Sequence, residues 1–264
     1  MKINLSIPNI AWEKCFDDYM YAEMSRLGFT GLEIAPTRIF NQPVYEKIKE
    51  AADFSSRQWQ MHGIKISSMQ SIWHGVTQQL FGADDERQFL LDYTKKAIDF
   101  ASAMSCRNLV FGCPKNRSRP LCTANLDNIY EFFAKLGDYT AERGTVLSLE
   151  ANPAIYGTNF INTTLDALDL VKTVSSKGFR LNLDIGAAIY NEENIADIRE
   201  CLPYINHVHV SEPNLVMIEP RALHKEVIKL ACEAGYAGYF SIEMQKHDVS
   251  EVIAVMQYLN DCKP

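Results

Sequence analysis

Short runs in which aliphatic and polar residues alternate recur along the chain, separated by longer stretches whose apolar residues return every three or four positions. The first pattern belongs to strands, whose side chains point to two faces in turn; the second belongs to helices that bury one face. Strands are predicted at 3–7 (INLSI), 31–35 (GLEIA), 64–69 (IKISSM), 108–112 (NLVFG), 145–150 (TVLSLE), 179–184 (FRLNLD), 206–210 (NHVHV) and 239–243 (YFSIE). Helical segments such as 43–63, 84–104, 126–144, 164–178 and 222–236 lie between them, several closed by a glycine suited to a left-handed helix end. Eight strands in alternation with helices, in units of roughly 25 to 45 residues, predict an α/β fold of the (β/α)8 type, a TIM barrel whose closed sheet has no free edge. An open doubly wound sheet also alternates, but it normally carries a glycine-rich phosphate turn after its first strand. Here that connection reads IPNIAW, and neither GxGxxG nor GxxxxGK[ST] occurs.

The last four predicted strands each end in a potential metal ligand: Glu150 in LSLE, Asp184 in LNLD, His209 in HVHV and Glu243 in FSIE. Ends of neighbouring parallel strands converge, so the four belong to one polar site. Any one of them alone is as readily a helix N-cap or an ion-pair partner. Three carboxylates in one cleft repel by about 4 kcal/mol per close pair at an effective dielectric near 20, and something must offset that. One divalent ion does so; three oxygen donors and an imidazole suit Mn, Co, Mg or Zn, with positions left for substrate.

Composition narrows the setting. A chain of 264 residues, 47% of them hydrophobic, can fill one sizeable core, and a single domain over 1–264 is expected. A net charge of −7 without a basic run argues against nucleic acid as a partner. Seven scattered cysteines (Cys15, Cys106, Cys113, Cys122, Cys201, Cys232, Cys262), with no CxxC pair, fit reduced thiols in a cytoplasmic protein. No apolar run reaches the ~20 residues needed to cross a bilayer, so no membrane association is expected.

The ordered quartet resembles that of the xylose-isomerase-like barrels, which include ketose 3-epimerases, inosose-processing enzymes and hydroxypyruvate isomerase, and the likeness runs over essentially the whole chain. The resemblance implies that Glu150, Asp184, His209 and Glu243 hold one metal. It also implies that a small sugar, sugar phosphate or related polyol ketone chelates that metal, and that Glu150 and Glu243 move protons. In an eight-strand ring, strands five and eight stand well apart, which puts the two glutamates on opposing sides of a ligand. Deprotonation next to a metal-polarised carbonyl gives an enediolate, and its reprotonation yields an epimer or an aldose–ketose isomer. Expulsion of a hydroxyl instead makes a dehydratase, and a noncatalytic sugar-binding barrel is the further alternative. Many relatives carry a histidine where this chain has Ala187, and the ketose epimerases an arginine where it has Leu215, so their hexose specificity does not transfer.

Further residues near the predicted mouth are candidates for substrate binding. Trp73 could stack on a sugar face and His74 bond a hydroxyl, or the pair could pack and solvate a loop. Asn152 and Tyr156 follow Glu150 closely enough to orient substrate or to support the glutamate. Lys115 and Arg117, with Arg119, form a basic cluster suited to a phosphate or carboxylate, or simply a solvated loop. His207 shares a strand face with His209, while Glu212 and Glu33 could reach hydroxyls or sit at helix starts. Cys113 has no paired base in sequence and is not expected to be a nucleophile. A homo-oligomer is compatible with the aromatic and apolar residues to spare on the helices.

Overall fold

The computed structural model describes residues 3–121 and 126–263. Its strands are β1 (Asn4–Pro8), β2 (Gly31–Ile34), β3 (Lys65–Met69), β4 (Leu109–Phe111), β5 (Leu147–Glu150), β6 (Phe179–Asp184), β7 (Ile205–Ser211) and β8 (Tyr239–Glu243). They pair in parallel in chain order, and β8 returns to β1 with Tyr239 opposite Asn4, so the sheet is a closed barrel. Around it run α1 (Asp17–Arg26), α2 (Pro36–Ile39), α3 (Ile48–His62), α4 (Asp84–Ala103), α5 (Asp127–Glu142), α6 (Thr164–Val174), α7 (Ile185–Tyr190), α8 (Ile195–Cys201), α9 (Ala222–Glu233) and α10 (Val249–Asp261). The molecule is a single-domain TIM barrel, and all eight predicted strands are present.

Strand alternation decides what lies on each side of the sheet. Leu147, Leu149, Leu181, Leu183, Val208, Val210, Phe240 and Ile242 join the continuous apolar core. Between them in sequence come Ser148, Glu150, Asn182, His207, His209, Ser241 and Glu243, which are buried and polar. Barrel interiors of this type are commonly filled by branched aliphatics. Here small polar side chains fill much of the space and satisfy one another, as buried polar groups must. Ser6 Oγ and Ser67 Oγ are 2.6 Å apart, Asn108 Nδ2 donates to Ser68 Oγ at 2.9 Å, and Ser148 Oγ donates to Asn108 Oδ1 at 2.5 Å.

Helix ends are set locally. The Thr163 hydroxyl accepts from Asp166 N while the Asp166 carboxylate accepts from Thr163 N, a reciprocal cap that starts α6. Gly63 closes α3 with φ +66°, as the sequence predicts. Gly178 differs from expectation: α6 ends earlier, on Ser175 at φ +52°. The glycine is required instead for close approach, since a Cβ at position 178 would lie 2.0 Å from Gly137 O on α5.

No helix among the described residues is long and apolar enough to cross a membrane. Six cysteines are free thiols, and Cys122 lies outside the described residues.

Candidate functional site

At the C-terminal end of the barrel a cavity of about 300 Å³ is lined by Glu150, Asp184 and Glu243, together with Asn152, Tyr156, Trp73, His74 and Lys115. His209 lies beneath it, fully buried. Its Nδ1 is 2.8 Å from Glu150 Oε1 and 3.1 Å from Glu243 Oε2. One donor atom from each of these three residues lies within 4.8 Å of the others. The other imidazole nitrogen, Nε2, is 3.2 Å from Glu33 Oε2. Glu33 also meets His207 Nε2 at 2.9 Å and accepts from Gln70 Nε2 at 2.8 Å. Glu33, His207 and His209 thus form a second close grouping. It lies inside the barrel with its carboxylate already between two imidazoles, whereas Glu150 and Glu243 front the cavity at the C-terminal end.

Asp184, the fourth predicted ligand, stands beside the trio. Its Oδ1 accepts from Gly186 N at 2.8 Å and Ala187 N at 3.3 Å, capping α7, and the Ser211 hydroxyl donates to the same oxygen. Capping and membership of the acidic cluster are therefore compatible in one side chain. Glu150 is held most tightly: Asn182 Nδ2 donates to Oε1 at 2.6 Å and Asn152 Nδ2 to Oε2 at 3.0 Å. Behind them Arg117 is fully buried, donating to Glu150 O, Asn152 Oδ1 and Ile161 O. Gly112 leaves room for this arrangement, since a Cβ there would lie 2.8 Å from Glu150 Oε2.

The remaining sequence candidates divide. Trp73 lines the cavity but is 3% exposed, donates to Thr94 Oγ1 at 2.8 Å and meets Phe111 edge to face, so it is a fixed wall. His74 and Lys115 are exposed at the rim. Tyr156 accepts from Asn214 N at 2.9 Å, tying the loop after β7 to the loop after β5. Glu212 turns away from the cavity and takes Arg221 on both oxygens at 2.6 Å. Arg117 likewise spends its guanidinium on the loop after β5, so the basic cluster offers the cavity only Lys115. The supporting Asn182, Ser211 and Gln70 were missed in sequence; Asn182 was findable, because it occupies the inward parity of LNLD two residues before Asp184.

Electrostatics give the cluster its character. Burial pushes the Asp184 carboxyl up to about 8, and the charges of Glu150 and Glu243 add to the rise. Burial also raises Glu243, with His209 pulling the other way. Burial alone would lower His209, but Glu243, Glu33 and Glu150 outweigh it and hold the imidazole well above its usual range. For Glu33, burial would raise the carboxyl, yet His209 and His207 keep it far below the ordinary carboxylate range. The cavity side thus gathers three acids around one imidazole and is short of positive charge. Asn182 Oδ1, on the side chain touching Glu150 and His209, is buried without a partner. A divalent cation fits this donor set in charge and in ligand type, and Glu150, His209 and Glu243 fit it in spacing as well.

A family model, that of the xylose isomerase-like TIM barrels, matches residues 21–262. No curated protein sequence matches the chain significantly. Among solved structures, the chain is similar to the 3-keto-D-glucoside 4-epimerase YcjR from E. coli, at 17% identity and TM-score 0.76 over 99% of both chains. It is also similar to the D-psicose 3-epimerase from Clostridium cellulolyticum H10, determined with D-tagatose, at 17% identity and TM-score 0.77 over 98% of this chain and 96% of that one. An L-ribulose 3-epimerase aligns at 15% identity and TM-score 0.75, over 98% and 93%. At these identities the structural likeness shows the fold alone.

Proposed function

The chain belongs to the xylose isomerase-like TIM barrel family, and from that premise we propose that it is a divalent-metal-dependent isomerase or epimerase of a small sugar, sugar phosphate or related polyol ketone. The observation that carries this reading is the convergence of Glu150, His209 and Glu243 within 4.8 Å at a cavity that Asp184 also lines. Epimerases of keto-sugars among the similar structures support the substrate class. Glu150, Asp184, His209 and Glu243 would hold the ion, which when bound supplies Lewis acidity to a substrate carbonyl and makes the neighbouring C–H acidic.

The chain's own residues do the rest. Glu33 accepts the Nε2 proton of His209 and leaves Nδ1 to face the cavity carboxylates. Asn152 and Asn182 fix the Glu150 carboxylate in one orientation, as a base needs if it is to take a proton from one face of the substrate. Glu243 comes from β8, three strands round the ring from Glu150, and is the second carboxylate that gives or takes the proton. His74 and Lys115 at the rim, and Tyr156 deeper in, contact substrate hydroxyl or anionic groups.

The test is proton exchange followed by NMR in deuterated water, with the metal-supplemented protein and a panel of ketoses, ketose phosphates and inososes. Deuterium should enter a carbon next to the carbonyl without loss of water, and Glu150→Gln or Glu243→Gln should slow this by about a hundred- to ten-thousand-fold. An enone product would assign the chain to the dehydratases instead. Exchange that survives both substitutions would sink the reading.

A further inference from the structure

The N-terminal mouth of the barrel, opposite the acidic cluster, holds a second cavity of about 950 Å³, about three times the volume at the C-terminal end. Small-molecule sites occupy roughly 300–1,000 Å³. The lining runs from exposed Trp59, Lys65 and Arg107 inward to buried Ser67, Asn108 and His207. In a chain of net charge −7 no Asp or Glu among the described residues lines this cavity, while a lysine and an arginine do. Lys65 Nζ lies 5.4 Å from the centre of the Trp59 ring, so a cation and an exposed aromatic face are presented together. Aliphatic side chains from the connections entering β4 and β7 complete the wall.

Two cations on the lining of one cavity, without a carboxylate among the described lining residues to neutralise them, favour an oxyanion as occupant. The apolar wall and the indole favour a carbon skeleton behind that anion. We propose that this mouth is a binding site for a small organic oxyanion, a phosphate or a carboxylate, held by Lys65 and Arg107 with its carbon skeleton against Trp59. The site is separate from the acidic cluster and does not depend on the chemistry assigned there.

Tryptophan emission reports on it directly, because Trp59 is 55% exposed whereas Trp12 and Trp73 are 1% and 3% exposed. The full chain is titrated with inorganic phosphate and, separately, with malonate, at constant ionic strength set by sodium chloride. A saturable change in emission is expected with at least one probe: phosphate alone identifies a phosphate site, malonate alone a carboxylate site, and both a general oxyanion site. Trp59→Phe should abolish the signal, Glu150→Gln should leave it intact, and Lys65→Gln with Arg107→Gln should weaken affinity about tenfold or more, as expected for a lost charge-assisted hydrogen bond. The exchanged cations are exposed, so these variants keep the fold. No saturable response to either probe, an unchanged response in the double variant, or its loss in Glu150→Gln would overturn the proposal.

Discussion

His209 is the residue through which the site is organised, since each ring nitrogen faces carboxylate oxygen. Glu33 sets its orientation from β2, far away in the chain, and that distance explains why the role was not legible in sequence. A glutamate ending a strand is also a common helix-start carboxylate, and nothing local distinguishes the two. Glu150, His209 and Glu243 were legible because each lies at or near the C-terminal end of a strand and each strand's alternation fixes its parity. If Glu33 fixes the imidazole, Glu33→Gln should weaken divalent-ion binding roughly 10- to 100-fold, measured by calorimetric titration. An affinity equal to that of the parent chain would remove Glu33 from this role.

Among the elements, strands could be read almost to their ends, while helix termini could not. The α3 terminus at Gly63 follows the expected left-handed cap, but Gly178 serves packing of β6 against α5, a long-range demand that resembles a cap signal in one dimension. Gly178→Ala should therefore destabilise the fold by about 1–3 kcal/mol through overpacking, read from denaturant unfolding. Gly63→Ala strains a positive φ without meeting any atom within 4 Å, so its cost should come from the backbone alone. Loop connections were the least legible. The sequence shows Arg117 in an apparently solvated basic run, yet the fold buries it under the loop after β5.

For the molecule as a whole, protons tie stability to the loading of the proposed metal site. Asp184 and His209 both bind protons more tightly in the folded chain than when unfolded. Folding therefore takes up protons above the unfolded carboxylate range, and the metal-free protein should lose stability as pH rises through about 8. Glu33 acts in the opposite sense, but only at acid pH, where its protonation removes stability. Thermal melts from pH 6 to 9 should show a falling midpoint without metal and a flatter profile with Mn, Co, Mg or Zn added. Saturation at about a hundred times the dissociation constant should add roughly 2.7 kcal/mol. Because bound ligands must be deprotonated, ion affinity should rise over the same pH span. A midpoint indifferent to both pH and divalent ions would contradict this linkage.

The bond from Glu33 to His209 also governs how the barrel can be divided. A cut after α4 leaves Glu150, Asp184, His209 and Glu243 together on the C-terminal piece, while the carboxylate that steers the imidazole stays on the other. The C-terminal fragment alone should then grip an ion loosely, and mixing in its counterpart should restore tight binding by complementation rather than by adding any donor to the ion.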